Sequence, residues 1–252
     1  MLVDVHCHLN FKDFDHDRGQ VIQRAKEAGV VAIVNSGTDY ETNIQTMALA
    51  MKHDVVEASL GIYPTYVEQL SEENFQRDLE YIKSKKSKIV SIGEVGLDYH
   101  HTTDEKLKKV QRDRFQRILD ELGKLNKPFV LHTRKAEKDV VDMLETTTLK
   151  KVNFHCFTGN YKIVKRIVDH NWCFSIPPTI LRMLHFQGLV NLVPLSQLLT
   201  ETDAPYLSPP SHERNEPAFV RMTVEKIAEL KKVTVEEAKK IIFMNYQKIF
   251  VQ

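Results

Sequence analysis

Eight short apolar runs, VDVHCH, VVAIVNSG, VVEASLG, KIVSIGE, PFVLHT, KVNFHCF, WCFSIPP and LLTETD, alternate with longer segments of helical period along the 252 residues. Strands that alternate with helices imply βαβ units and a parallel sheet, because parallel neighbours need a crossover long enough to hold a helix. The intervening segments are amphipathic. Phe115, Ile118, Leu119 and Leu122 follow the i, i+3, i+4, i+7 spacing of one buried helix face. Near the end, Thr234 and Glu237 form a capping box ahead of Ala238, Ile241 and Ile242. Eight such repeats predict an α/β fold closed into a (β/α)8 TIM barrel rather than an open sheet. No Pro/Gly/Ser-rich linker, low-complexity tract or fixed-period repeat interrupts the pattern, so one domain over residues 1–252 is expected.

With 42% hydrophobic and 27% charged residues, the composition excludes disorder as the dominant state. Thirty-five Lys and Arg against 34 Asp and Glu leave a net charge of +1, which excludes a strongly basic nucleic-acid coat but permits a local cationic groove. The lysines at 83–88 and 106–109 fall in helical segments and read as solvated outer faces. No run approaches the ~20 apolar residues of a membrane span, and MLVDVHCHLN lacks a basic region followed by an apolar stretch. Cys7, Cys156 and Cys173 form no CxxC pair, which argues against a disulfide framework and a thiolate zinc site. A cytoplasmic protein with no membrane association and no obligate protein partner is expected.

The ends of the predicted strands carry the chemistry. His6 and His8 follow the first, Glu94 the fourth, His132 the fifth, His155 the sixth and Asp203 the eighth. In a parallel barrel these ends converge on the face where active sites are built. His6 and His8 stand two apart, so both imidazoles project to one side of a strand. Any one buried histidine is more often a hydrogen-bonded core residue, but six ligand-type residues at strand ends reverse those odds. Four imidazoles and two carboxylates exceed one tetrahedral site and point to two divalent ions, with Glu94 the natural bridge. Mg²⁺, Mn²⁺ and Zn²⁺ all suit such donors. Two ions about 3.5–4 Å apart clamp the attacking and leaving oxygens of a phosphoryl displacement, so hydrolysis is the implied reaction. Asp203 is placed both to ligate and to accept the proton of the attacking water.

The motifs DVHCHL, SIGEVGLDY, VLHTRKAE, NFHCFTG and LLTETDAPYL, followed by RNEP, resemble the TatD family of metal-dependent deoxyribonucleases over nearly the whole chain. The resemblance implies an amidohydrolase-superfamily barrel and divalent-metal-dependent hydrolysis of DNA phosphodiesters, at strand ends or in single strands, with DNA as the substrate. By motif, His6, His8, Glu94 and Asp203 would hold one ion, and Glu94, His132 and His155 the other. Where the family usually has GxHPH, this chain has Gly61, Ile62, Tyr63, Pro64 and Thr65. The Tyr63 phenol is suited to donate a hydrogen bond or stack on a base, with ordinary packing above the barrel as the alternative.

Further substrate contacts are expected from Arg134, whose guanidinium fork matches phosphate oxygens, or which instead caps the next helix. Phe157, with Thr158 and Gly159 after His155, and Arg214 and Asn215 in the RNEP turn are the remaining candidates, with tight-turn roles as alternatives. Asp98 and Tyr99 are placed to orient the cluster through hydrogen bonds. Two other functions remain open: a two-metal hydrolase of a small ester, lactone or amide on the same barrel, and a non-catalytic, metal-stabilised binding module. Several small-ester branches bridge their ions with a carboxylated lysine, and no lysine lies at a predicted strand end here.

Overall fold

A computed structural model describes residues 1–210 and 212–251. Its strands are β1 (Leu2–Cys7), β2 (Val30–Ser36), β3 (Val56–Leu60), β4 (Ser91–Asp98), β5 (Phe129–Arg134), β6 (Val152–His155), β7 (Cys173–Ile176) and β8 (Leu198–Thr200). They form one parallel sheet in sequence order, with registers such as Ile33 to Val56, Val95 to Leu131 and Phe174 to Leu198. All eight apolar runs therefore became strands. Sequential order with parallel pairing forces a helical return at each step, which is the (β/α)8 arrangement.

The seam between β8 and β1 closes differently. Thr200 Oγ1 donates to Val3 O at 2.7 Å, Asp203 N to His6 O at 2.9 Å, and His8 N to Ala204 O at 2.7 Å. The segment after β8 thus completes the nearly closed barrel and fixes Asp203 beside β1.

Helices α1 (Arg18–Glu27), α2 (Tyr40–Lys52), α3 (Pro64–Val67), α4 (Glu72–Ser84), α5 (Glu105–Leu122), α6 (Glu137–Glu145), α7 (Tyr161–Asp169), α8 (Leu184–Leu192), α9 (Val220–Lys231) and α10 (Val235–Phe250) surround the sheet. In α5, Phe115, Ile118, Leu119 and Leu122 are all buried. Thr234 Oγ1 accepts from Glu237 N at 3.1 Å and starts α10, where Ala238 and Ile242 are buried. Ile241 is only half-buried, because it lies at the edge of the stripe that Ala238, Ile242 and Ile249 define. Outward lysines are paired: Lys83 with Glu80 and Glu121, Lys108 with Glu105, and Lys109 with Asp113.

Two departures from the sequence reading bear on the site. β4 runs four residues past Glu94, to Asp98, so the glutamate sits within the strand rather than at its end. A register irregularity between Ile92 and Val95 reaims the side chains there, as a bulge does. Gly61 and Gly96 make this possible. A Cβ at Gly61 would lie 2.4 Å from the backbone N and O of Glu94; one at Gly96, whose φ is +145°, would lie 2.0 Å from His132 O.

Candidate metal centre

The β1 pleat sends His6 and His8 to the same side, and Ser36 at the end of β2 backs both rings. Ser36 O lies 2.9 Å from His8 Nδ1 and Ser36 Oγ lies 3.1 Å from His6 Nδ1. Because a carbonyl only accepts, His8 Nδ1 carries the proton and its Nε2 lone pair faces inward. His6 Nε2 is buried and has no hydrogen-bond partner. It stands 3.5 Å from Glu94 Oε2 and 3.5 Å from Asp203 Oδ1, while His8 Nε2 stands 3.5 and 3.4 Å from the same two atoms.

These separations are long for hydrogen bonds and nearly equal. Donors about 2.0–2.1 Å from one tetrahedral ion lie about 3.4 Å apart, so the four side chains fit a divalent cation. Asp203 reaches this position from a backbone φ of 56°, a left-handed conformation that costs a non-glycine residue about 1 kcal/mol or more.

The other oxygen of Glu94 serves a second cluster. Glu94 Oε1 is 2.8 Å from His132 Nδ1 and 2.9 Å from His155 Nε2, and those two nitrogens are 3.3 Å apart. Behind His132, Nε2 meets Asp98 Oδ2 at 3.0 Å. Asp98 is fully buried and also accepts from His101 Nδ1 at 2.7 Å and from the Tyr63 hydroxyl at 3.2 Å. Each of the six predicted ligands is therefore in one cluster, with Glu94 between its halves.

Burial alone would favour a neutral Glu94, but the charge on His155, the close contacts of His132 and His155 and the nearby His6 ring hold its carboxyl well below the ordinary range. Asp203 is likewise raised by burial and more than compensated by His6 and His8, so it too lies low. Burial and the His155 charge push His6 down, yet Asp203 and Glu94 carry it up to about 9. His132 and His155 are also raised, against burial, by Asp98 and Glu94 and by Glu94 and Glu201 respectively. A cation bound here would therefore compete with protons drawn by the same carboxylates.

A cavity of about 580 Å³ opens over the cluster, with Phe11, Tyr63, Tyr66, Arg134 and Tyr206 on its walls. A smaller lobe of about 250 Å³ adjoins it, walled by Cys156, Thr158, Met183 and Phe186 and sharing Arg134, His132 and Asp203 with the first. Phe11 stacks on His8 at 4.6 Å, and Tyr206 is 55% exposed on the rim. Arg134 is exposed and, among the described residues, makes no ion pair.

The remaining candidates go elsewhere. Tyr63 lines the cavity, but its hydroxyl is 3.3 Å from His132 Nε2 and bonded to Asp98, so it steadies the His132 ring as well as facing the cleft. Phe157 is fully buried against Phe154 and Phe174 and does not reach the cavity. A Cβ at Gly159 would meet the Phe157 ring, so that glycine serves packing. Arg214 is not brought to the cleft: it pairs with Asp17 at 2.6 Å and lies over the Phe14 ring. Asn215 is buried and donates to the carbonyls of Thr202 and Tyr206 at 2.6 and 2.7 Å, which shapes the loop carrying Asp203. Tyr99 turns away to Asp139. Glu201, absent from the predicted set, lies fully buried behind His155. Its signal was present, since it precedes Asp203 by two residues in TETD.

The chain is similar to known proteins over nearly its whole length. Residues 3–251 match the family model described as TatD related DNase. The uncharacterized metal-dependent hydrolase YabD of Bacillus subtilis is 36% identical, over 99% of this chain and 99% of its own. The human deoxyribonuclease TATDN3 is 34% identical, over 99% of this chain and 94% of its own. The crystal structure of YjjV, a TatD homologue from Escherichia coli, superposes with a TM-score of 0.87 at 25% identity, covering 99% of this chain and 97% of that one.

Proposed function

Since the chain belongs to the TatD related DNase family of metal-dependent hydrolases, we propose that it hydrolyses DNA phosphodiester bonds, at strand ends or in single strands, with two divalent cations. The observation that carries this reading is Glu94, whose two oxygens serve two separate sets of imidazoles. His6, His8, Asp203 and Glu94 would hold one cation, and Glu94, His132 and His155 the other. Such a pair would polarise phosphate oxygens and make an attacking water more acidic.

The residues of the chain divide the remaining work. Asp203 is the more open of the two carboxylates, its side chain 15% exposed against 4% for Glu94, so it has access to an attacking water and accepts its proton. Arg134, which makes no ion pair among the described residues, offers its guanidinium fork to a non-bridging phosphate oxygen. Tyr206, Phe11 and Tyr66 line the cavity as aromatic surfaces against which an unpaired base would stack, at about 1–3 kcal/mol per base. Stacking of this kind requires a base freed from a duplex, which is why strand ends and single strands are the substrates proposed.

End-labelled single- and double-stranded oligonucleotides, assayed with Mg²⁺, Mn²⁺ and Zn²⁺, test the proposal. Product is expected only with added cation, faster from single strands, with KM rising severalfold between about 50 and 200 mM salt. No product at stoichiometric enzyme with any of the three cations would overturn it. Salt-independent turnover of an uncharged ester, without cleavage of DNA, would move the assignment to small-ester hydrolysis.

Arg134→Ala is expected to raise KM for an oligonucleotide about tenfold while changing kcat by less than about threefold, the loss of one charge-assisted contact made in ground and transition states alike. Steady-state kinetics check this, and an unchanged KM would remove Arg134 from the substrate path.

A further inference from the structure

The two halves of the centre are backed by different chemistry. In the first, both imidazoles rest on Ser36, through its carbonyl and its hydroxyl, neither of them charged. In the second, His132 rests on the Asp98 carboxylate, and His155 Nδ1 faces Glu201 Oε1 at 3.5 Å. The inner donors differ in the opposite sense. The first half has oxygens from two carboxylates, Glu94 and Asp203, whereas the second has only Glu94 Oε1.

Glu201 is fully buried. Its Oε1 accepts from Cys156 N at 2.8 Å, and its Oε2 accepts from the Ser175 hydroxyl, which itself accepts from Asn153 Nδ2 at 2.9 Å. Among the described residues, no lysine or arginine pairs with it. A buried carboxylate without a cationic side chain must be offset by other groups, and the ring of His155 is the imidazole it faces. His155 Nδ1 is itself buried with no hydrogen-bond partner. A ring that ligates through Nε2 carries its proton on Nδ1, and that N–H needs an acceptor.

We propose that Glu201 is a positioning residue for the second cation: it fixes the tautomer and orientation of His155 and, with Asp98 behind His132, supplies from behind the rings the negative charge that Asp203 supplies directly in the first half. The inference rests on the two-cation reading above. Its consequence is selective. Loss of the Glu201 charge weakens the second cation and leaves the first, whose imidazoles rest on Ser36, nearly as it was.

Calorimetric titration with Mn²⁺, on full-length protein stripped with chelator and without any substrate, separates these claims. Wild type is expected to take up two equivalents. In Glu201→Gln the first equivalent should bind within about twofold of wild type and the second about 10–100-fold more weakly, the range found when an outer partner of a ligating histidine is lost. Asp98→Asn should repeat the pattern through His132. Ser175→Ala, which leaves Glu201 its charge and its bond from Cys156 N, should weaken the second step severalfold, and it carries the comparison if Glu201→Gln does not fold. Two equivalents at wild-type affinity in these variants, or equal weakening of both steps, would overturn the role of Glu201 while the two-cation reading stood. A single equivalent in wild type would overturn that reading itself.

Discussion

Replacing Glu94 with alanine is expected to lower kcat/KM on single-stranded DNA by at least about 10³-fold, equivalent to about 4 kcal/mol of transition-state stabilisation. Glu94 faces both halves of the centre: one of its oxygens is 3.5 Å from His6 and His8 nitrogens, and the other 2.8 and 2.9 Å from those of His132 and His155. Its loss removes one donor from each half and a negative charge from between them. Glu94→Gln retains a carbonyl acceptor but not the charge, and should fall between wild type and alanine. The barrel does not depend on this side chain, since its core is the apolar packing between strands and helices. Circular dichroism should therefore be unchanged while initial rates collapse. Retention of more than about a tenth of wild-type kcat/KM in the alanine variant would contradict the bridging role.

Removal of metal by chelation is expected to abolish hydrolysis completely, and added Mn²⁺ or Mg²⁺ to restore it. A thermal shift should accompany the change. Cations that bind the folded chain and not the unfolded one stabilise by about 2.7 kcal/mol at 100 times the dissociation constant. For a domain of this size that corresponds to an increase in Tm of about 5–10 °C. The effect also has a sign with pH. Protons compete with the cation for His6, whose pKa Asp203 and Glu94 carry up to about 9, so metal affinity should weaken as pH falls and excess Mn²⁺ should restore the lost rate. Hydrolysis that survives chelator, or a Tm indifferent to Mn²⁺, would contradict a metal centre at these residues.

The barrel was legible because each of its strands is a short apolar run and each crossover a helix-period segment, both local signals. That the six candidate residues would meet was legible for the same reason, since strand ends in a parallel barrel converge on one face. Where reading failed, the missing information was tertiary. Cys156 adopts a φ of 44° directly after β6, which turns the chain so that Phe157 drops onto Phe154 and Phe174 instead of following His155 into the cleft. Arg214 finds its partner in Asp17, 197 residues away, and no spacing rule anticipates that pair. Glu201 was hidden differently: its partner in the TETD motif, Asp203, offered the more obvious ligand, and only the fold shows that the glutamate points behind His155. Tyr63 was read as a cleft residue, and only the fold shows its hydroxyl meeting Asp98 and His132 as well.

Anomalous diffraction from Mn²⁺-loaded crystals tests the centre most directly. Two peaks about 3.5–4 Å apart are expected, one among His6, His8 and Asp203 and the other beside His132 and His155, with an oxygen of Glu94 on each. One peak alone, or peaks remote from Glu94, would contradict the account.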